Sequence, residues 1–164
     1  MKINNFTCLV LVIFLFISCS KKTLQKSVIN EKSLDLQVLE AYKEGVESLE
    51  SGDVLYAAKK FNEAEVLFPQ SVWAPKSALM AAYSYYVQDY YGDAIAELER
   101  FKIVYPKHKN IDYANYLLAI CYYEQIVDEK KDLNSIKKAK ENFSFIIKNY
   151  PNTEYSLDAE FKID

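Results

Sequence analysis

SGDVLYAAKKFNEAEVLFPQ, residues Ser51 to Gln70, decides the fold. Gly52-Asp53 interrupts one apolar-periodic segment with a residue free to take positive φ. Ala57 and Phe61 then mark a second segment, which Phe68-Pro69 closes. The proline lacks a backbone N–H and restricts the residue before it, so a helix stops there. The same triplet recurs as Ala94, Leu98, Pro106 and as Ala139, Phe143, Pro151, each proline standing behind an aromatic. Gly45, Ala82 and Ala119 recur at intervals of 37 residues. Ala57 to Ala94 is also 37 residues but Ala94 to Ala139 is 45, and the polar run DEKKDLNS, Asp128 to Ser135, accommodates the surplus of eight. A sustained period of this size denotes stacked supersecondary units.

Each unit reads as two helices. The first helices span roughly Gln37–Ser51, Pro75–Gln88 and Ile111–Val127, and the second Leu55–Phe68, Tyr91–Tyr105 and Ser135–Asn149. Small residues at Gly45, Ala82 and Ala119 let paired helices approach closely. The expected architecture is all-α: a solenoid of antiparallel helical hairpins over residues 37–164, about three and a half repeats. The pattern resembles the tetratricopeptide repeat, which the resemblance gives as the fold. Repeat two departs from it, with Asp89-Tyr90-Tyr91 where Gly-Asp-Tyr is usual, and the unit exceeds the common length of about 34 residues by an excess after the prolines. The chain stops at Asp164, partway through the first helix of a fourth unit, so a domain truncated at its C-terminal end is expected.

Ahead of the repeats, Lys2 precedes an apolar run from about Phe6 to Ile17, closed by Ser18-Cys19-Ser20. The run is shorter than the roughly 20 residues a membrane span requires. A basic start, a short apolar stretch and small closing residues describe a secretory signal peptide, residues 1–18. Leu15-Phe16-Ile17-Ser18-Cys19 resembles a bacterial lipobox, with Phe16 where leucine is common. The resemblance implies cleavage before Cys19 and multiple acylation of its thiol and new N-terminus, since one acyl chain anchors weakly. A plain signal peptide is the alternative. Ser20 after the cysteine goes with export to the outer membrane. Residues 19–36 read as a polar lipidated tether.

The whole chain carries a formal charge of −3. Without Lys2, 19 basic residues face 23 acidic ones, about −4 net, so nucleic acid is not an expected partner, since phosphate binding requires clustered positive charge. Cys121, amid Leu117-Leu118-Ala119-Ile120, is left without a disulfide partner once Cys8 departs and Cys19 is acylated, and reads as a small core hydrophobe. No catalytic constellation is evident. His108, between Lys107 and Lys109, reads as a solvated loop residue without the further ligands a metal site needs. The three glycines form no phosphate-cradling loop, and the pairs Glu63/Glu65 and Glu97/Glu99, two apart on helices, diverge. Neither an enzyme, a metal nor a cofactor is expected, apart from covalent lipid on Cys19.

In a hairpin solenoid the first helices line the concave side. Read at i, i+3, i+7 and i+10, they give Leu39, Tyr42, Val46, Leu49; then Lys76, Leu79, Tyr83, Tyr86; then Tyr113, Tyr116, Ile120, Tyr123. The stripe is either core, with hydroxyls reaching water at its edge, or a partly exposed groove. Tyrosine suits a groove, as a large amphipathic contact with few rotatable bonds to freeze. The expected peptide-binding residues are Tyr42, Leu79, Tyr83, Tyr86, Tyr113, Tyr116 and Tyr123.

Ser71-Val72-Trp73-Ala74-Pro75 with Leu79-Met80-Ala81-Ala82-Tyr83, and Tyr105-Pro106-Lys107-His108 with Asp112-Tyr113-Ala114-Asn115-Tyr116-Leu117, resemble the BamD family, also called ComL. The resemblance runs from the lipobox to the chain end and is densest between Phe68 and Leu118. It implies a lipid-anchored scaffold on the periplasmic face of the bacterial outer membrane, within the β-barrel assembly machinery. Its implied partners are BamA, the other assembly subunits and unfolded outer-membrane proteins. Cys19 carries over as the lipidation site, and Trp73 and Pro75 as the inter-repeat junction, where Trp73 either wedges repeats together or touches ligand. A different periplasmic repeat lipoprotein, coordinating cell-envelope complexes, is the alternative.

Overall fold

The computed structural model describes residues 33–126 and 133–163. The signal peptide, Cys19, most of the tether and most of the inserted run lie outside them. Seven helices make up the described residues: α1 Leu34–Glu50, α2 Val54–Leu67, α3 Trp73–Tyr86, α4 Tyr91–Val104, α5 Ile111–Glu124, α6 Leu133–Asn149 and α7 Glu154–Ile163. None is long and apolar enough to cross a membrane. Each packs on its neighbours in sequence, and α1 also meets α3, as α5 meets α7. This is a run of antiparallel hairpins in which α1, α3, α5 and α7 form one layer and α2, α4 and α6 the other.

Local chemistry explains where the helices begin and end. Ser33 caps α1, its carbonyl taking the Leu36 and Gln37 N–H groups and its hydroxyl lying 3.4 Å from the Leu36 nitrogen. The helix therefore takes in Leu34–Leu36 at the end of the tether. Gly52 takes φ +85°, and the Gly52 and Asp53 N–H groups satisfy the last carbonyls of α1 at Leu49 and Ser48, a left-handed C-terminal cap. Asp53 then accepts the Tyr56 N–H at 3.2 Å to open α2, as N-cap aspartates do. One repeat later Asp89 occupies the same left-handed region at φ +61°. There the Asp89 and Tyr90 N–H groups bond Tyr86 and Tyr85, and the Tyr91 hydroxyl donates to Asp89 Oδ1 at 2.7 Å. The sequence departure from Gly-Asp-Tyr thus keeps the turn at the cost of a strained aspartate. Helix α3 starts at Trp73 rather than Pro75 because Ser71 Oγ accepts the Ala74 N–H. Pro75 falls in the first turn, where its missing N–H is not needed.

The interior is built from equivalent residues. Ala57, Ala94 and Ala139 are buried, as are Phe61, Leu98 and Phe143, four residues on in each second helix. Opposite them lie Gly45, Ala82 and Ala119. A Cβ added at Gly45 would stand 2.8 Å from two carbons of the Phe61 ring, so the first hairpin closes only because position 45 has no side chain. Cys121 is fully buried, and burial pushes its thiol up to about 12.

Candidate peptide-binding trough

Residues 37 apart along the first helices fall on one side of the layer, but they do not all meet in one place. A cavity of about 510 Å3 gathers Tyr42 from α1 with Lys76, Leu79, Met80 and Tyr83 from α3. Its far wall is Lys109 and Asn110 at the α4–α5 turn and Tyr113 in the first turn of α5. Leu79, only 6 % exposed, is its floor; the three tyrosines are half-buried, with one edge committed to packing. No carboxylate is among these lining residues, and two lysines are. Burial lifts the Tyr113 phenol to about 12, helped by Tyr83 and Tyr155 nearby, and it raises Tyr42 as well. At neutral pH these hydroxyls remain intact hydrogen-bonding groups on apolar rings.

The other expected groove residues lie elsewhere. Tyr86 packs between α3 and α5, 6.3 Å from Tyr83 and 6.1 Å from Tyr91 between ring centroids. Tyr116 is covered by α7: its ring stacks on Tyr155 at 5.0 Å and its hydroxyl donates to Asp158 at 2.6 Å. Tyr123, 39 % exposed, borders a second cavity of about 720 Å3 with Phe143 and Ile163. There the Lys162 ammonium lies 5.2 Å from the centre of the Tyr123 ring. The stripe is therefore divided by the helices that pack on it. At the first junction Trp73 tilts against Tyr42 at 5.0 Å and shares a cluster with Val38, Ala41 and Ala64, while Lys76 Nζ lies 4.7 Å over the indole. Trp73 thus packs the start of α3 against residues of both α1 and α2.

Three polar arrangements complete the picture. On the opposite side, Glu65, 7 % exposed, receives both Arg100 amino groups at 2.8 and 2.6 Å and the Tyr105 hydroxyl at 2.7 Å. Arg100 Nε also donates to Glu97 at 2.9 Å. These bonds tie α2 to α4, and they hold the guanidinium well above its usual range. Glu99 instead accepts the Tyr122 hydroxyl and Glu63 the Lys60 ammonium, so each i,i+2 pair does diverge. His108 is not a solvated loop residue: it is half-buried, its ring lies edge-on to Phe101 at 5.6 Å, and burial followed by the charges of Lys109 and Lys76 lowers its pKa. Its neighbouring lysines, which suggested solvent, point the charge outward while the ring covers Phe101. Among the described residues no cluster of histidine, cysteine and carboxylate could hold a metal.

Sequence reasoning missed Lys109, Asn110 and Met80 in the trough, and the Glu65–Arg100 link. Asn110 had a signal, because it stands 37 residues after Trp73. The link had none, since its partners lie 35 residues apart and fall out of the repeat register.

Comparison with known proteins gives consistent findings. The model of the YfiO family, described as outer membrane lipoprotein, matches residues 34–164. Outer membrane protein assembly factor BamD of Caulobacter vibrioides is 40 % identical over 123 residues, covering 75 % of this chain and 40 % of that protein. BamD of Rickettsia prowazekii is 33 % identical over 123 residues, with 75 % and 49 % covered. BamD of Neisseria gonorrhoeae is 30 % identical over 135 residues, with 76 % and 51 % covered. The chain spans about half the length, or less, of these curated relatives. Among solved structures, the first tetratricopeptide-repeat domain of Spaghetti (RPAP3), bound to an HSP90 peptide, superposes with a TM-score of 0.58 at 13 % identity. That match covers 78 % of this chain and 90 % of the other, a likeness of fold.

Proposed function

This chain belongs to the YfiO family of outer membrane lipoproteins, and from that premise we propose a non-enzymatic scaffold that binds substrate within the β-barrel assembly machinery. It helps outer-membrane β-barrel proteins fold and insert, at the periplasmic face of the outer membrane. Acylated Cys19 holds it there, with residues 19–36 as the tether. Its partners in this reading are BamA, other assembly subunits and unfolded barrel proteins. The observation that carries the binding role is the trough around Leu79. Aromatic rings, an apolar floor and two lysines without a lining carboxylate form a surface for an extended chain bearing aromatic and acidic side chains. Support for the assembly role comes from the shared name of the relatives, which favours it over a repeat lipoprotein of other envelope complexes. Affinity capture from solubilised outer membrane tests the reading. Recovery of BamA with barrel precursors is expected, and recovery of cell-wall synthesis proteins without BamA would overturn it. Cys19→Ala should release the chain from the membrane fraction; retention there would remove the lipid anchor from the account.

A further inference from the structure

The layer of second helices has a polar junction of its own. Between α2 and α4 it is held by Glu65, clasped by both Arg100 amino groups at 2.8 and 2.6 Å and by the Tyr105 hydroxyl at 2.7 Å. One repeat further, between α4 and α6, Lys102 stands 37 residues after Glu65, and Phe145 and Tyr150 stand 45 after Arg100 and Tyr105. The tyrosine is kept, the carboxylate has become an ammonium, and the guanidinium has become a ring. Lys102 is half-buried. Its ammonium lies 5.7 Å from the centre of the Phe145 ring, which meets Tyr150 edge-on at 6.1 Å. Among the described residues no carboxylate forms an ion pair with Lys102, and the Tyr150 hydroxyl has no hydrogen-bond partner. The acidic group that bears on Lys102 is Glu99, whose carboxylate accepts the Tyr122 hydroxyl at 3.0 Å. Burial lowers the Lys102 pKa, with Glu99 opposing it only in part: the cation has given up water without gaining a counter-ion.

We propose that Lys102, Phe145 and Tyr150 form a docking site for another protein, receiving an aspartate or glutamate side chain at α4 and α6 as Glu65 is received at α2 and α4. The site lies on the layer of second helices, away from the trough, and does not rest on the peptide-binding reading. Charge decides the occupant. A half-buried ammonium and a tyrosine hydroxyl are both donors, so the group that completes them is an acceptor carrying negative charge. The surroundings favour a protein over a small anion: Ile103, 80 % exposed, and Phe145, 44 % exposed, flank the lysine. Apolar side chains beside the partner's acidic residue would cover that rim and exclude the water that weakens such a pair. Lys148, exposed and three residues beyond Phe145, adds positive charge towards the same acidic segment.

Carbodiimide cross-linking tests this, because the reagent joins an amine to a carboxylate only where the two touch. Outer membranes from cells carrying the full chain are treated, and the joined peptides are sequenced by mass spectrometry. A bond between Lys102 and one acidic residue of another protein is expected. Lys102→Glu should abolish co-purification of that protein, and Lys102→Arg should retain it. Placing lysine at the cross-linked carboxylate should restore the association of Lys102→Glu. Lys102→Met should melt no lower than the wild type, since it removes a half-buried charge that has no counter-ion. Cross-links from Lys102 only to Glu99 or to a second copy of this chain, or none at all, would overturn the proposal. So would a partner retained equally by Lys102→Glu. A lower melting temperature in Lys102→Met with the partner still bound would make the lysine a packing residue on Phe145, and would also overturn it. Loss of binding to phosphatidylglycerol vesicles in Lys102→Glu, with no protein cross-linked, would assign the site to lipid phosphate and overturn it likewise.

Discussion

Replacing Gly45 with alanine probes the closest approach in the fold. The added Cβ would lie 2.8 Å from Cδ1 and Cε1 and 3.0 Å from Cζ of Phe61, whose ring is fully buried. The ring cannot swing aside, because Tyr42 lies edge-on to it at 5.3 Å and Ala57 and Ala81 share its cluster. Overpacking of this kind costs about 1–3 kcal/mol. Alanine recovers about 0.5–1 kcal/mol of backbone entropy in mid-helix, leaving a net loss of roughly 1 kcal/mol at the middle of these ranges. The second repeat holds Ala82 opposite Leu98 without conflict, both fully buried. Phe61→Leu should therefore offset the clash: the double variant Gly45→Ala/Phe61→Leu is expected to be about 1 kcal/mol more stable than the sum of its single changes predicts. Urea denaturation followed by circular dichroism measures all four proteins of the cycle. Gly45→Ala with stability equal to or above wild type would refute the close packing of α1 on α2, and with it the reason that a glycine stands there.

Arg100→Met removes the bidentate partner of a buried carboxylate and leaves Glu65 with the Tyr105 hydroxyl alone; discounted for the half-exposed guanidinium, the loss should be about 2 kcal/mol, and Glu65→Leu/Arg100→Met should regain most of it in the same denaturation assay. Asp89→Gly relaxes the left-handed turn at φ +61° and should raise stability by up to about 1 kcal/mol, visible as a higher melting temperature. Alkaline pH should unfold the domain: the Tyr113 phenol has an ordinary value of 10.0 but sits at about 12 when folded. Its contribution is therefore complete below pH 10 and lost as pH rises towards 12. A pH series of denaturation midpoints should fall across that window, and less steeply in Tyr113→Phe.

Much of the fold is legible because its punctuation is chemical. Proline without an N–H, glycine free to take positive φ and alanine at the helix contacts each force a local outcome, so the hairpin boundaries follow to within a few residues. The departures are capping effects: Ser33 draws three further residues into α1, and Ser71 starts α3 ahead of Pro75. The trough is only partly legible. Register places Tyr42, Leu79, Tyr83 and Tyr113 together, yet Tyr116, in the same register, is closed over by Tyr155 and Asp158. What decides between open and closed is the residue facing the stripe from the next hairpin. Arg100 choosing Glu65 over Glu63 depends on which carboxylate α4 covers, and helical spacing alone does not reveal that.

Site-specific photocrosslinking from position 83 in living cells addresses the central claim most directly, because Tyr83 lies on the trough wall with an accessible edge. Adducts with unfolded outer-membrane barrel proteins, lost when Leu79→Tyr/Asn110→Tyr crowds the trough, are the expected result. Adducts formed equally well by that variant, or none with barrel precursors when exposed positions of α2 do give them, would contradict it.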